Sequence, residues 1–267
     1  MVVLTVSLIA SKLVLEGLLD REWPLIVYVA LTGAIGYGPS VAWCFYTSRR
    51  WGTGRLSTDI GLAPRWSDIG WGPLIWLASV GAQMAMAAVV VGLDLPISNN
   101  TDGVSELQAD RTYIVSLVIT AVIAAPVVEE MVFRGVVLRG LRGWMPVIPA
   151  IVVQGILFGA AHLDPVRGRG NLGLVMVLAG VGVAFGTAAV LLHRIGPTIV
   201  AHAIFNAAVL VIVLSGVADR LDEDAAASGT PPSGLEEVAV VDQADVADEG
   251  GHGDAQAPWS ALVVGDG

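Results

Sequence analysis

Cysteine occurs once in this 267-residue chain, at Cys44. A single thiol excludes an internal disulfide framework and any zinc site built on cysteines, and its place in an apolar run makes it a packing residue. Charge is scarce too: Asp, Glu, Lys and Arg make up 14% of the residues against 55% hydrophobic, and the mean hydropathy is +0.73. Soluble domains carry roughly 25% charged residues, so this composition describes an integral membrane protein. Lysine is nearly missing, since thirteen of the fourteen bases are Arg. No basic surface suited to nucleic acid is present.

The formal net charge of −10 is concentrated at one end of the chain. Residues 217–267 hold twelve acids and one Arg, whereas the preceding 216 residues balance twelve acids against thirteen bases. The low isoelectric point therefore describes a tail and not a site. That tail is acidic, rich in small residues and poor in core formers, the composition of a disordered segment; His252 within it is incidental.

A helix needs roughly 20 apolar residues to cross the hydrocarbon core. Seven stretches approach that length, at 1–19, 24–47, 71–93, 113–133, 146–163, 172–192 and 196–215, which predicts an all-α polytopic bundle of about seven membrane helices. Lys12 and Glu16 interrupt the first stretch, which reads as an interfacial helix or a signal anchor without a small-residue cleavage site. Arg49, Arg50, Arg55 and Arg65 place the loop after the second stretch in the cytoplasm, together with Arg139, Arg142 and Arg194. Seven spans then put the N-terminus inside and the C-terminus outside. Gly173, Gly180, Gly182 and Gly186 would let the helix over 172–192 approach its neighbours closely.

Ionisable groups inside a span cost about 2.5 to 3.5 kcal/mol each, so each calls for a partner. Three places qualify as functional candidates: EEMVFR at 129–134, FGAAH at 158–162 and HAIFN at 202–206. Glu130 and Arg134 are four apart on a helix, with acid N-terminal to base, the favourable order for an ion pair. Glu129 points about 100° away, and its charge must be met from another helix or at the cytoplasmic end of the span. His202 and Asn206 share a face and can donate jointly to one oxygen, and Phe158 lies one turn before His162. With a turn near Trp144, Glu129 and His162 both fall roughly 22 to 27 Å along antiparallel helices and can face each other. His202 lies only about 10 Å beyond a turn near Ile195, too shallow on straight helices to meet His162.

In order and spacing, these three motifs resemble the Glu-Glu-x-x-x-Arg, Phe-x-x-x-His and His-x-x-x-Asn signatures of the CPBP family, the CAAX-processing and bacteriocin-processing intramembrane proteases also called Abi or Rce1-like. The resemblance covers residues 113–215, and family members carry about eight spans against the seven counted here. It divides the chain into N-terminal membrane helices (1–110), a catalytic membrane core (111–216) and the acidic tail (217–267). It implies that Glu129 acts as general base on a water that His162 helps to bind, with His202 and Asn206 as the oxyanion hole. Glu130, Arg134 and Phe158 would support them.

Glu129, His162 and His202 could hold a divalent metal such as zinc with a water in the fourth position; no His-Glu-x-x-His helix is present, and no obligatory metal is expected. The implied substrate is a peptide or protein at the lipid bilayer of a prokaryotic cell membrane: a CAAX-type C-terminus, a leader or a bacteriocin precursor. The alternatives are a non-catalytic immunity or scaffold protein of the same family and, less well supported for want of an internal repeat, a small transporter.

Overall fold

A computed structural model of the chain describes residues 23–96, 111–163 and 171–216. Among these residues every regular element is helical. Helix α1 (Leu25–Trp51) leads through a loop holding the one-turn α2 (Leu56–Asp59) into α3 (Ser67–Gly92). A long rod, α4, covers residues 111–142, with two π-helical segments, Ile119–Ala124 and Met131–Val137, set into it. Helices α5 (Val147–Ala160), α6 (Leu172–Leu192) and α7 (Gly196–Leu214) complete the bundle. Helix is the expected form for these runs of Leu, Ile, Val and Ala, because within lipid it satisfies every backbone group inside the segment.

Among the described residues five helices are long and apolar enough to cross a membrane: Ile26–Trp51, Ser67–Gly92, Ile114–Arg142, Leu172–Leu192 and Gly196–Leu214. The protein is thus an integral membrane protein, and the described residues account for five of the seven spans expected. The stretch 1–19 lies outside the described residues, as do the acidic tail and His252. The stretch 146–163 forms α5, whose 14 residues rise only about 21 Å against a hydrocarbon core of roughly 30 Å. This short helix stops within the bundle and delivers the turn that carries His162.

Helix α6 packs on both α5 and α3, and α7 packs on α3 and on the middle of α4. Glycine makes the close crossings possible. A Cβ on Gly182 would lie 2.8 Å from the Cα of Gly155, one on Gly155 2.9 Å from the Ala179 carbonyl oxygen, and one on Gly180 3.2 Å from that of Ala82. Gly159 leaves no room either, since its Cβ would run into the Val175 carbonyl. Cys44 is fully buried among Val128, Met131, Phe133, Phe158 and Leu178, in the packing role its sequence context indicates.

The loop between α1 and α3 is tied down by polar contacts at the arginine-rich end of the bundle. Asp59 accepts from Ser48 Oγ at 2.6 Å, from the Thr53 amide at 2.9 Å and from the Arg55 amide at 3.1 Å. Arg139 donates to the carbonyls of Thr58, Asp59 and His193, and the Ile195 amide donates to that of Gly61, which sits at φ +73°. Arg194 pairs with Asp68 at 2.7 Å. The start of α7, from Gly196 to Thr198, is consequently buried beneath this loop rather than placed at the surface.

Two predictions follow from this packing. Gly159→Val should destabilise the protein by about 1–3 kcal/mol, as overpacking against backbone does, seen as a lower melting temperature in detergent. The hydrogen bond from Ser48, helped by the Thr53 and Arg55 amides, holds the Asp59 carboxyl at about 2, below the ordinary value near 3.9. Its stabilisation is therefore complete above about pH 4 and lost as pH falls through about 2. Melting of wild type against Asp59→Asn should show a gap at pH 6 that closes by about pH 2.

Candidate active site

The site is built where the middle of α4, the end of α5 and the first turns of α7 converge. Its base is the ion pair between Glu130 Oε1 and Arg134 Nη1, 2.6 Å apart, with neither side chain reaching solvent. The Arg134 guanidinium lies between two rings, 4.3 Å from the centroid of Phe158 and 5.1 Å from that of Phe185, and donates from Nη2 to the Gly182 carbonyl at 3.4 Å. The two ring faces offset part of the hydration that the enclosed cation loses.

Glu130 also accepts from His202 Nδ1 at 3.1 Å. Its carboxylate, ionised against Arg134, can only accept, so Nδ1 carries the proton and Nε2 is turned away from Glu130. There Nε2 stands 3.9 Å from Glu129 Oε2. His162 is oriented by the same device: Nδ1 donates to the Phe158 carbonyl at 2.9 Å, and Nε2 stands 4.0 Å from the same Glu129 oxygen. Phe158 braces both imidazoles, at centroid distances of 5.0 Å for His162 and 5.8 Å for His202. The two Nε2 atoms thus converge on one oxygen of Glu129.

The structure brings Glu129, His162 and His202 together, and this corrects the expectation that His202 lies too shallow to meet His162. Straight-helix arithmetic assumed that α7 begins at the membrane surface. Its first residues are instead buried under the 52–66 loop and the Arg194–Asp68 pair, which sets His202 at the depth of His162. The charge of Glu129 meets the two histidines rather than the cytoplasmic end of the span.

Asn206 is held by a fault in α4. The Ala125 amide bonds the Thr120 carbonyl, five residues back, so the next donor in that register would be residue 126 to Ala121. Residue 126 is proline and has no N–H. The freed Ala121 carbonyl accepts from Asn206 Nδ2 at 2.7 Å, which leaves the second amide hydrogen unused. A π-helical segment of this kind is a common mark of functional sites.

These groups open onto a cavity of about 400 Å³, lined by Glu129, Phe158, His162, His202 and Asn206 and otherwise largely by Leu, Val and Phe side chains. Such a volume, mostly apolar with a few convergent polar groups, suits a small-molecule or peptide ligand. Gln83 of α3 also lines it. Motif spacing could not reveal Gln83, although a lone carboxamide in an apolar span is itself a signal. For a metal the fit is poor: zinc with bonds of about 2.0–2.1 Å holds its ligands roughly 3.3 Å apart, closer than the separations here. Among the described residues no group of three or more His, Cys, Asp or Glu converges to hold a metal ion.

Fold and site together define a polytopic helical membrane protein with a buried carboxylate–imidazole centre. Residues 111–208 match the family model described as type II CAAX prenyl endopeptidase Rce1-like. The matched segment is the one that holds the three motifs, and every motif residue lies within it. No curated protein and no solved structure matches the chain.

The buried ion pair makes a direct prediction. Arg134→Met leaves Glu130 as an uncompensated charge and should cost about 3–5 kcal/mol. The double change Glu130→Gln with Arg134→Met should recover most of that loss, measured by thermal or denaturant unfolding in detergent.

Proposed function

We propose that this protein is an intramembrane endopeptidase that hydrolyses a peptide bond in a membrane-associated peptide or protein, with Glu129 as general base. The observation that carries this reading is the meeting of Glu129 Oε2 with the Nε2 atoms of His162 and His202 at 4.0 and 3.9 Å inside an apolar cavity. The Glu129 carboxylate and the neutral His162 Nε2 both accept, and a water placed between them donates one hydrogen to each. The Rce1-like domain favours peptide hydrolysis over a non-catalytic or transport role.

In this mechanism Glu129 takes a proton from the water while the water oxygen attacks the scissile carbonyl carbon. The carbonyl electron pair moves onto its oxygen, and His202 Nε2–H and the free Nδ2–H of Asn206 hold the oxyanion. His202 enters the step as the imidazolium, its Nδ1 proton held by Glu130 and its Nε2 proton taken up from solvent beforehand, and it keeps both protons through the cycle. Collapse breaks the C–N bond, and the protonated Glu129 returns its proton to the leaving amine. His162 orients the water, and its own orientation is set by the Phe158 carbonyl. No step requires a metal.

The test is cleavage of a quenched fluorescent membrane-peptide library, including prenylated CAAX peptides, by purified protein in detergent. Glu129→Gln should lower kcat by roughly a thousand-fold, and Asn206→Ala by about a hundred-fold, with a chelator leaving wild type unchanged. Equal turnover in wild type and Glu129→Gln would remove the general base from the mechanism. Loss of wild-type activity to the chelator, restored by zinc, would replace the metal-free form of it.

A further inference from the structure

Gln83 stands in α3, outside the segment matched by the family model, in a span with a mean hydropathy of 2.0. Inserting a polar side chain at such a place is unfavourable, and it persists where it has a partner or a task. The other polar groups of this helix have partners. Ser67 and Asp68 bind Arg194, and Ser79 donates to the Trp76 carbonyl. Gln83 has no hydrogen-bond partner among the described residues, is half-buried, and lines the cavity that holds Glu129, His162, His202 and Asn206.

The remaining polar groups of the cavity have tasks of their own: Glu129, His162 and His202 meet around one carboxylate oxygen, and Asn206 donates one hydrogen to the Ala121 carbonyl. The surrounding wall, including Leu117, Val177, Leu178, Val181, Phe205 and Leu210, is apolar. A peptide must be extended at the bond to be cleaved, because a helix shields its carbonyl carbons. An extended segment inside a membrane protein loses its internal hydrogen bonds, and each unpaired amide or carbonyl there costs several kcal/mol on transfer scales. A carboxamide supplies one acceptor and a donor on the same plane, the complement of a backbone N–H and C=O.

Resting on the endopeptidase reading above, we infer that Gln83 is a substrate-binding residue whose carboxamide pairs with the backbone of the extended peptide beside the scissile bond. Its task is to hold the unwound segment, and the apolar wall takes the side chains. The matched domain supplies the chemistry, and α3 supplies a grip on the main chain.

The test measures binding apart from cleavage, with a fluorescein-labelled prenylated CAAX peptide titrated into full-length protein carrying Glu129→Gln. Adding Gln83→Met, which keeps the length of the side chain and removes its polarity, should weaken binding about tenfold, the worth of one or two neutral hydrogen bonds. Gln83→Asn should fall between the two. A series of the same peptide with one amide at a time replaced by an ester should contain a position where the ester weakens binding to the Gln83 protein and has no further effect on the Met variant.

That coupling is what a merely structural glutamine would not produce. Equal affinities, an ester penalty that survives in the Met variant, or no saturable binding by either protein would each overturn the assignment. Retained cleavage by the Glu129→Gln protein, with the coupling intact, would overturn the general-base mechanism and leave Gln83 in place.

Discussion

The buried pair of Glu130 and Arg134 is the constraint on which the rest of the core depends. Taking two charges out of water costs several kcal/mol per ion, and replacing such a pair by packed apolar groups is often neutral or stabilising. What the pair provides here is register. Arg134 reaches from α4 to the Gly182 carbonyl of α6 and sits between Phe158 of α5 and Phe185 of α6, while Glu130 fixes the ring of His202 on α7. Four helices are thereby indexed to a single ion pair. A slip of any one of them would strand a charge in an apolar interior.

Around that pair, irregularities in the helices set the depth of the reactive groups. The short α5 ends inside the bundle and offers His162 from its final turn. The start of α7 is sunk beneath a loop anchored by Asp59, Asp68, Arg139 and Arg194, which lowers His202 to the same level. Pro126 removes one donor from α4, and the carbonyl so freed captures Asn206. Unbroken, straight helices would hold these side chains at different heights.

The arrangement also divides labour between halves of the chain. Residues of the Rce1-like segment hold the carboxylate, both imidazoles and one carboxamide, whereas α3 closes the cavity from outside that segment and brings Gln83 to it.

Several features were determined by the sequence alone, because they depend on composition and on helical spacing within one segment. The all-helical membrane character follows from hydropathy, the Glu130–Arg134 pair from a four-residue separation, and the bracing of His162 by Phe158 from the same spacing. The close glycine contacts of α6 were legible for the same reason. Contacts between segments were decided only by the tertiary structure, since they depend on where each helix begins and how far it runs. Rise per residue from assumed turns put Glu129 opposite His162 but left His202 too shallow, because a buried helix start has no local signature. The arrest of α5 after 14 residues, the capture of Asn206 by Ala121 and the entry of Gln83 into the cavity likewise arise from packing between helices distant in sequence. Local periodicity fixes which face a side chain occupies; only packing fixes its depth and its neighbours.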